Sequence, residues 1–189
     1  MTNTKTLIPV LPQEVSDPVS RSRWILCVFF CVGAVLGTVF GRFSSTGDLF
    51  RPLFWTPAGA ADFLWLMWCF SWPCLIAVFL SSSFAGHWLM AVLFAVRGFL
   101  LSSAVAVLLK CGFGLPAAWG RIGLPALFSL AALFLIGEKA FDSSLALCRL
   151  CSGRTGAVYR FIPAERLVAA AALLFMAAAS RQFLIPLLR

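Results

Sequence analysis

The stretch GHWLMAVLFAVRGFLLSSAVAVLL, residues 86–109, decides the fold of this chain. As a helix rising ~1.5 Å per residue, its 24 residues cross the hydrocarbon core of a bilayer with some tilt. One arginine, Arg97, sits near the middle and is followed at once by Gly98. A guanidinium at mid-membrane depth costs at least ~2.5–3.5 kcal/mol on insertion scales, so it requires a partner or a wet cavity. Ala91, Ala95, Gly98, Ser102 and Ala106 recur at three- and four-residue steps and lay a seam of small residues beside it. The rest of the chain has to answer that charge.

Four further stretches of near-spanning length flank this one, at residues 24–40, 60–80, 124–147 and 164–184. They account for a composition that is 61% hydrophobic and only 12% charged. Soluble domains carry ~25% charged residues, and a soluble core has no room for so much apolar surface. The alternating pattern of a membrane barrel is absent, so the backbone must be satisfied inside helices. The expected fold is therefore all-α, a polytopic transmembrane helical bundle of about five spans. Residues 21–189 are expected to form one membrane domain. Residues 1–20 are polar and aperiodic, carry Pro9, Pro12 and Pro18, and read as a disordered tail.

The first span is flanked by Arg21 and Arg23 before it and Arg42 after it. Gly33, Gly37 and Gly41 recur every four residues and share one helix stripe, the spacing that lets two backbones approach closely in lipid. That stripe is either a packing seam within the chain or a face for a partner helix. Residues 44–59 read as an interfacial loop with Phe54 and Trp55 as anchors. The second span has Asp62 at its start, where a negative charge complements the helix dipole, and Pro73 inside it, where a kink is expected. The short link Ser81–Phe84 makes spans two and three antiparallel neighbours. His87 reads as a polar anchor at the entrance of span three. The connector of residues 110–123 carries Trp119 and Arg121, which suit a segment lying at the membrane surface or dipping into it.

Span four carries Glu138, Lys139 and Asp142 in its second half, the two carboxylates four apart on one face. Arg97 lies twelve residues before Leu109, and Glu138 fourteen after Leu124. In antiparallel helices those depths differ by about 3 Å. Either Arg97 pairs with Glu138, or Glu138 faces the interface and Arg97 snorkels. Arg97, Glu138 and Asp142 are the expected intramembrane polar cluster, and Gly33, Gly37, Gly41, Gly98 and Ser102 the expected helix-packing residues.

The formal net charge is +8, yet the fifteen Lys and Arg lie mostly in short loops and at helix ends, where they set topology and meet anionic head groups. Seven of them (Lys5, Arg21, Arg23, Arg149, Arg154, Arg160 and Arg166) fall on the side of the N-terminus, against five (Arg42, Arg51, Lys110, Arg121 and Arg189) on the other. The positive-inside bias then favours a cytoplasmic N-terminus. No basic cluster with interleaved aromatics points to nucleic acid.

Catalytic signatures are missing: there is no H-E-x-x-H, no G-x-S-x-G and no Walker A sequence. Cys27, Cys31, Cys69 and Cys74 lie in apolar helices, where cysteine is a small packing residue. Cys148 and Cys151 form a lone C-x-x-C without the two further ligands that zinc needs, and the single histidine, His87, is remote in sequence. No enzymatic activity, cofactor or metal is expected.

Several segments resemble one family. G33AVLG37 is similar to the opening Gly-rich helix of the stage II sporulation protein M family. Residues 86–109 resemble its pattern of Gly, about ten apolar residues, a basic residue and Gly, then a small and apolar run. L124PALFSLAALFL resembles its proline-containing fourth helix, and A179SRQFLIPLLR its closing segment. The chain departs from the family at Arg181 and Gln182, where an acidic residue is common. The resemblance implies a multi-pass protein of a bacterial cell membrane without hydrolase activity. It implies a scaffold for the peptidoglycan-remodelling stage II sporulation proteins D and P at the septal membrane during forespore engulfment. The rival expectation is a small transporter or permease subunit with Arg97, Glu138 and Asp142 at a polar midplane site.

Overall fold

The computed structural model describes residues 18–43, 60–112, 114–153 and 161–187. The expected interfacial loop at 44–59, most of the expected tail, and the basic residues Arg154 and Arg160 lie outside them. Five long helices run in order: α1 (Pro18–Phe43), α2 (Ala60–Ser81), α3 (Gly86–Lys110), α4 (Leu124–Cys151) and α5 (Ala164–Leu187). Each is long and apolar enough to cross a membrane, and no strand occurs among the described residues. The chain is an all-α helical bundle. α1 begins at Pro18, three residues inside the expected tail, because a proline's fixed φ and missing N–H suit the first turn of a helix.

The connector before α4 is more helical than its Gly and Pro content suggests. A turn at Leu115–Ala118 has Pro116 as its second residue, where a proline costs nothing. It runs straight into a π-helical turn, Trp119–Gly123, and then into α4. Pro125 explains the wider turn. Its ring would press on the carbonyl of Arg121 in a regular α-helix. The helix relaxes instead, and the N–H of Leu124 donates to the carbonyl of Trp119, five residues back. α3 and α4 both end on glycines in the left-handed region, Gly112 at φ +83° and Gly153 at φ +73°.

α1 runs parallel to α3 along a glycine seam. Gly33 lies against Ala95, Gly37 against Phe99 and Ser102, Gly41 against Ser103 and Ala106, and Gly98 of α3 against Phe30. A Cβ at Gly33 would fall on the Ala95 carbonyl oxygen, and one at Gly98 on that of Phe30. Backbone meets backbone here. The outward face of α1 (Trp24, Val28, Val32, Val35 and Val39) is exposed, as a lipid-facing stripe is.

The core joins the other helices. Phe94 of α3 is fully buried and meets Phe134 of α4 edge-on, with ring centroids 4.7 Å apart. Gly137 makes the room: a Cβ there would meet the Phe94 ring at 2.7 Å. Cys74 and Ala77 of α2 and Ala170 and Leu174 of α5 complete this cluster. A second cluster sets Ala104, Val107 and Leu108 of α3 against Ala118, Ile122 and Ala126. The link between α2 and α3 is pinned by Ser144 of α4, whose hydroxyl donates to the Ser83 carbonyl at 2.7 Å and accepts from the His87 N–H at 2.8 Å.

Candidate functional site

Polar side chains inside the bundle gather in two places. The first is the end where α1, α3 and α5 begin. The helical run Trp119–Cys151 has 33 residues, about 50 Å at ~1.5 Å per residue, against a hydrocarbon core of about 30 Å. Its second half therefore carries Glu138 to the level of the starts of α1 and α5. There the Glu138 side chain is 4% exposed, and its Oε2 takes the Arg23 Nε at 3.0 Å and the Arg166 Nη1 at 3.7 Å. Arg166 Nη1 also donates to the Leu135 carbonyl of α4 at 3.4 Å. One turn on, Asp142 accepts a hydrogen bond from the Ser22 hydroxyl of α1. One carboxylate thus ties three helices together. Removing either charged donor would leave a buried carboxylate with one fewer partner in a poor solvent.

The expected Arg97–Glu138 pair does not form. Ser129, which Arg97 contacts, lies nine residues before Glu138 on α4, about 13 Å along the axis. The expected cluster of Arg97, Glu138 and Asp142 is accordingly split: the two carboxylates stay together, and Arg97 stands apart.

Arg97 belongs to the second place. Its Nη2 donates to the Ser129 hydroxyl at 3.3 Å, which in turn donates to the Ala126 carbonyl at 3.1 Å. A hydroxyl contributes a dipole but no countercharge. The guanidinium lines a cavity of about 300 Å³ between α2, α3, α4 and α5. Arg121, on the π-helical turn, and Arg181, on α5, line the same cavity. Its remaining wall includes Trp65, Leu66, Cys69, Phe70, Leu101, Ile122 and Pro125. The π-helical turn before Pro125 places Arg121 in this wall, so the connector dips into the bundle rather than lying along the membrane surface.

Sequence pattern does not single out Arg23, Arg166, Arg121, Arg181 or Ser129 as site residues. Arg181 carries a signal, since a cation inside an apolar helix defaults to a functional position. Arg23 and Arg166 read only as topology-setting flanks. Gly33, Gly37, Gly41, Gly98 and Ser102 all lie along the α1–α3 seam, where Gly37 faces Ser102 and the other glycines face Ala95, Ser103 and Phe30. The seven cysteines are free thiols, and no group of three or more His, Cys, Asp or Glu residues comes together among the described residues. No family model, curated protein or solved structure matches the chain.

Proposed function

We propose that this chain is a non-enzymatic integral membrane scaffold of the stage II sporulation protein M type. In this reading it sits as a multi-pass protein in a bacterial cell membrane with its N-terminus in the cytoplasm. It assembles there with the peptidoglycan-remodelling stage II sporulation proteins D and P at the septal and forespore membrane during engulfment. The observation that carries the reading is the Arg23–Glu138–Arg166 joint. It spends the buried carboxylate on tying α1 and α5 to α4, and the glycine seam fixes α1 against α3 backbone to backbone. Those are the features of a rigid platform. The segments that resemble the family, from Gly33 to the closing helix, add the partner class.

The transporter reading requires Arg97, Glu138 and Asp142 at one midplane site, and Arg97 lies about 13 Å of helix away from Glu138 by way of Ser129. The scaffold reading is tested by affinity purification of the chain from sporulating cells, alongside a deletion strain. Co-purification of cell-wall hydrolases with arrested engulfment is the expected result. Absence of such enzymes together with normal engulfment refutes it, and solute flux in proteoliposomes that vanishes in Arg97→Ala would favour the transporter.

A further inference from the structure

We infer that the groove between the C-terminal turns of α1 and α3 is a binding site for an anionic phospholipid, with the head group at Arg42 and Lys110 and one acyl chain laid along the groove. Two cations meet at its mouth: Arg42 in the last turn of α1 and Lys110 at the end of α3 line the same hollow of about 1060 Å³. The Lys110 Nζ donates to the Arg42 carbonyl at 3.4 Å, which holds the ammonium over the end of α1. Below the mouth the walls are Val39 of α1 and Val105 and Leu109 of α3. The floor is closed because Gly41 brings α1 onto Ser103 and Ala106 of α3. Val39 is 51% exposed and Leu109 42%, so the groove opens outward from the bundle.

Polarity and shape select the occupant. The mouth is basic and the walls below it are apolar, which matches a ligand with one anionic end and a hydrocarbon body. Lys110 is the last residue of a helix of spanning length, so the mouth lies at the level of lipid head groups. From Ser102 to Lys110 the groove follows α3 for about 12 Å at ~1.5 Å per residue, most of the ~15 Å depth of one hydrocarbon leaflet. Two helices in backbone contact leave a wedge that admits a hydrocarbon chain, whereas a further helix is ~10–12 Å across with its side chains. The C-termini of α1 and α3 each bring about half a negative charge, which two side-chain cations outweigh. A phosphodiester head without a balancing ammonium gains from both cations, so phosphatidylglycerol is favoured over phosphatidylcholine. The attraction is one of charge at the mouth and requires no vacant N–H donor. The groove lies at the opposite end of α1 from the Glu138 joint, so it stands or falls independently of the scaffold reading.

The experiment uses the full chain, delipidated in a neutral detergent, and reads the affinities of phosphatidylglycerol and phosphatidylcholine by native mass spectrometry. One phosphatidylglycerol is expected to bind about tenfold or more tightly than phosphatidylcholine. Arg42→Gln and Lys110→Gln each weaken phosphatidylglycerol about fivefold, the contribution of one basic residue near a membrane surface, and leave phosphatidylcholine unchanged. Val39→Trp fills the groove without touching either charge and also weakens phosphatidylglycerol. Arg149→Gln, an exposed cation at the other end of the bundle, leaves the affinity as it was. All four positions are exposed, so none of these changes disturbs the core. Equal affinity for the two lipids, or phosphatidylglycerol binding that survives Arg42→Gln combined with Lys110→Gln, overturns the assignment. A loss in Arg149→Gln as large as in Arg42→Gln, or an affinity indifferent to Val39→Trp, does the same. So does a dimer of the chain that Val39→Trp dissociates, because a second copy would then occupy the groove.

Discussion

Replacing Gly33 by leucine tests the closest approach in the structure. A Cβ at this position stands 2.7 Å from the carbonyl carbon of Ala95 and 2.9 Å from its Cα, and nearer still to the carbonyl oxygen. Carbon atoms prefer ~3.5–4.0 Å, so α1 has to retreat from α3 by about 1 Å. The atoms met are backbone and cannot rotate aside. A gap of 0.5–1 Å forfeits roughly a quarter to a half of each contact along the seam, and overpacking of this kind costs about 1–3 kcal/mol. Against this stands a gain of up to about 1 kcal/mol for removing a glycine from a helix interior.

Alanine already sets a Cβ against the Ala95 backbone, so its net cost is about 0–2 kcal/mol. Leucine has the same gain with three more carbons to place, so its net cost is about 2 kcal/mol. For a chain of this length that is a fall in melting temperature of roughly 4–8 °C. The assay is thermal unfolding of the purified chain in a mild detergent, followed by tryptophan fluorescence. Val35→Leu, on the exposed face of the same helix, is the control and is expected to be neutral. Because Gly98 lies on the facing side of the seam, Gly98→Ala added to Gly33→Leu costs less than the sum of the single changes. A Gly33→Leu protein that melts at or above the parent refutes the seam.

The polar groups give further outcomes. Arg97→Leu and Glu138→Leu combine additively, within about 0.5 kcal/mol, in a double-mutant cycle of melting free energies; rescue of one by the other would restore the pair that the structure separates. Glu138→Ala lowers the melting temperature more than Arg23→Ala does, because the carboxylate is buried and serves two arginines whereas the Arg23 side chain is 58% exposed. Ser144→Ala strips the Ser83 carbonyl and the His87 N–H of one shared partner and is expected to destabilise by about 1–3 kcal/mol, measured in the same melts. N-ethylmaleimide labels exposed Cys27 and Cys31 in the folded protein and Cys74 only after denaturation; equal labelling rates would contradict the burial of Cys74.

The spans are legible in the sequence because a 20-residue apolar run has few other destinations, and the glycine stripe because a period of four is visible without a structure. The interior charges are not, and the reason is geometric. Counting depth from Leu124, the first residue of the apolar run, treats both helices as starting at the membrane boundary. The helical path starts before that, at Leu115, and runs through the π-helical turn into α4. Arg97 therefore meets Ser129, nine residues or about 13 Å short of Glu138, which is left within reach of Arg166. The discrepancy traces to the segment before Pro125, which reads in sequence as a connector and is instead a π-helical turn within a longer helix.

The same proline connects the two polar places. By widening the turn at Trp119–Gly123 it lets one continuous helix pass both of them, with Arg121 and Ser129 at the cavity and Glu138 and Asp142 at the joint. A regular α-turn there would rotate the preceding residues by roughly 100° per residue of register relative to the body of α4. Arg121 would then leave the wall it shares with Arg97 and Arg181, while Glu138, fixed by α1 and α5, would stay. Pro125→Ala removes the pressure on the Arg121 carbonyl, so the turn is free to tighten. The rate at which N-ethylmaleimide alkylates Cys69, on the same wall as Arg121, is expected to change while the Arg23–Glu138–Arg166 joint, read by the additivity of Glu138→Leu with Arg97→Leu, is unchanged. An unaltered alkylation rate in Pro125→Ala would show that the turn's width does not depend on the proline, and would leave the placement of Arg121 to Gly120 and Gly123 instead.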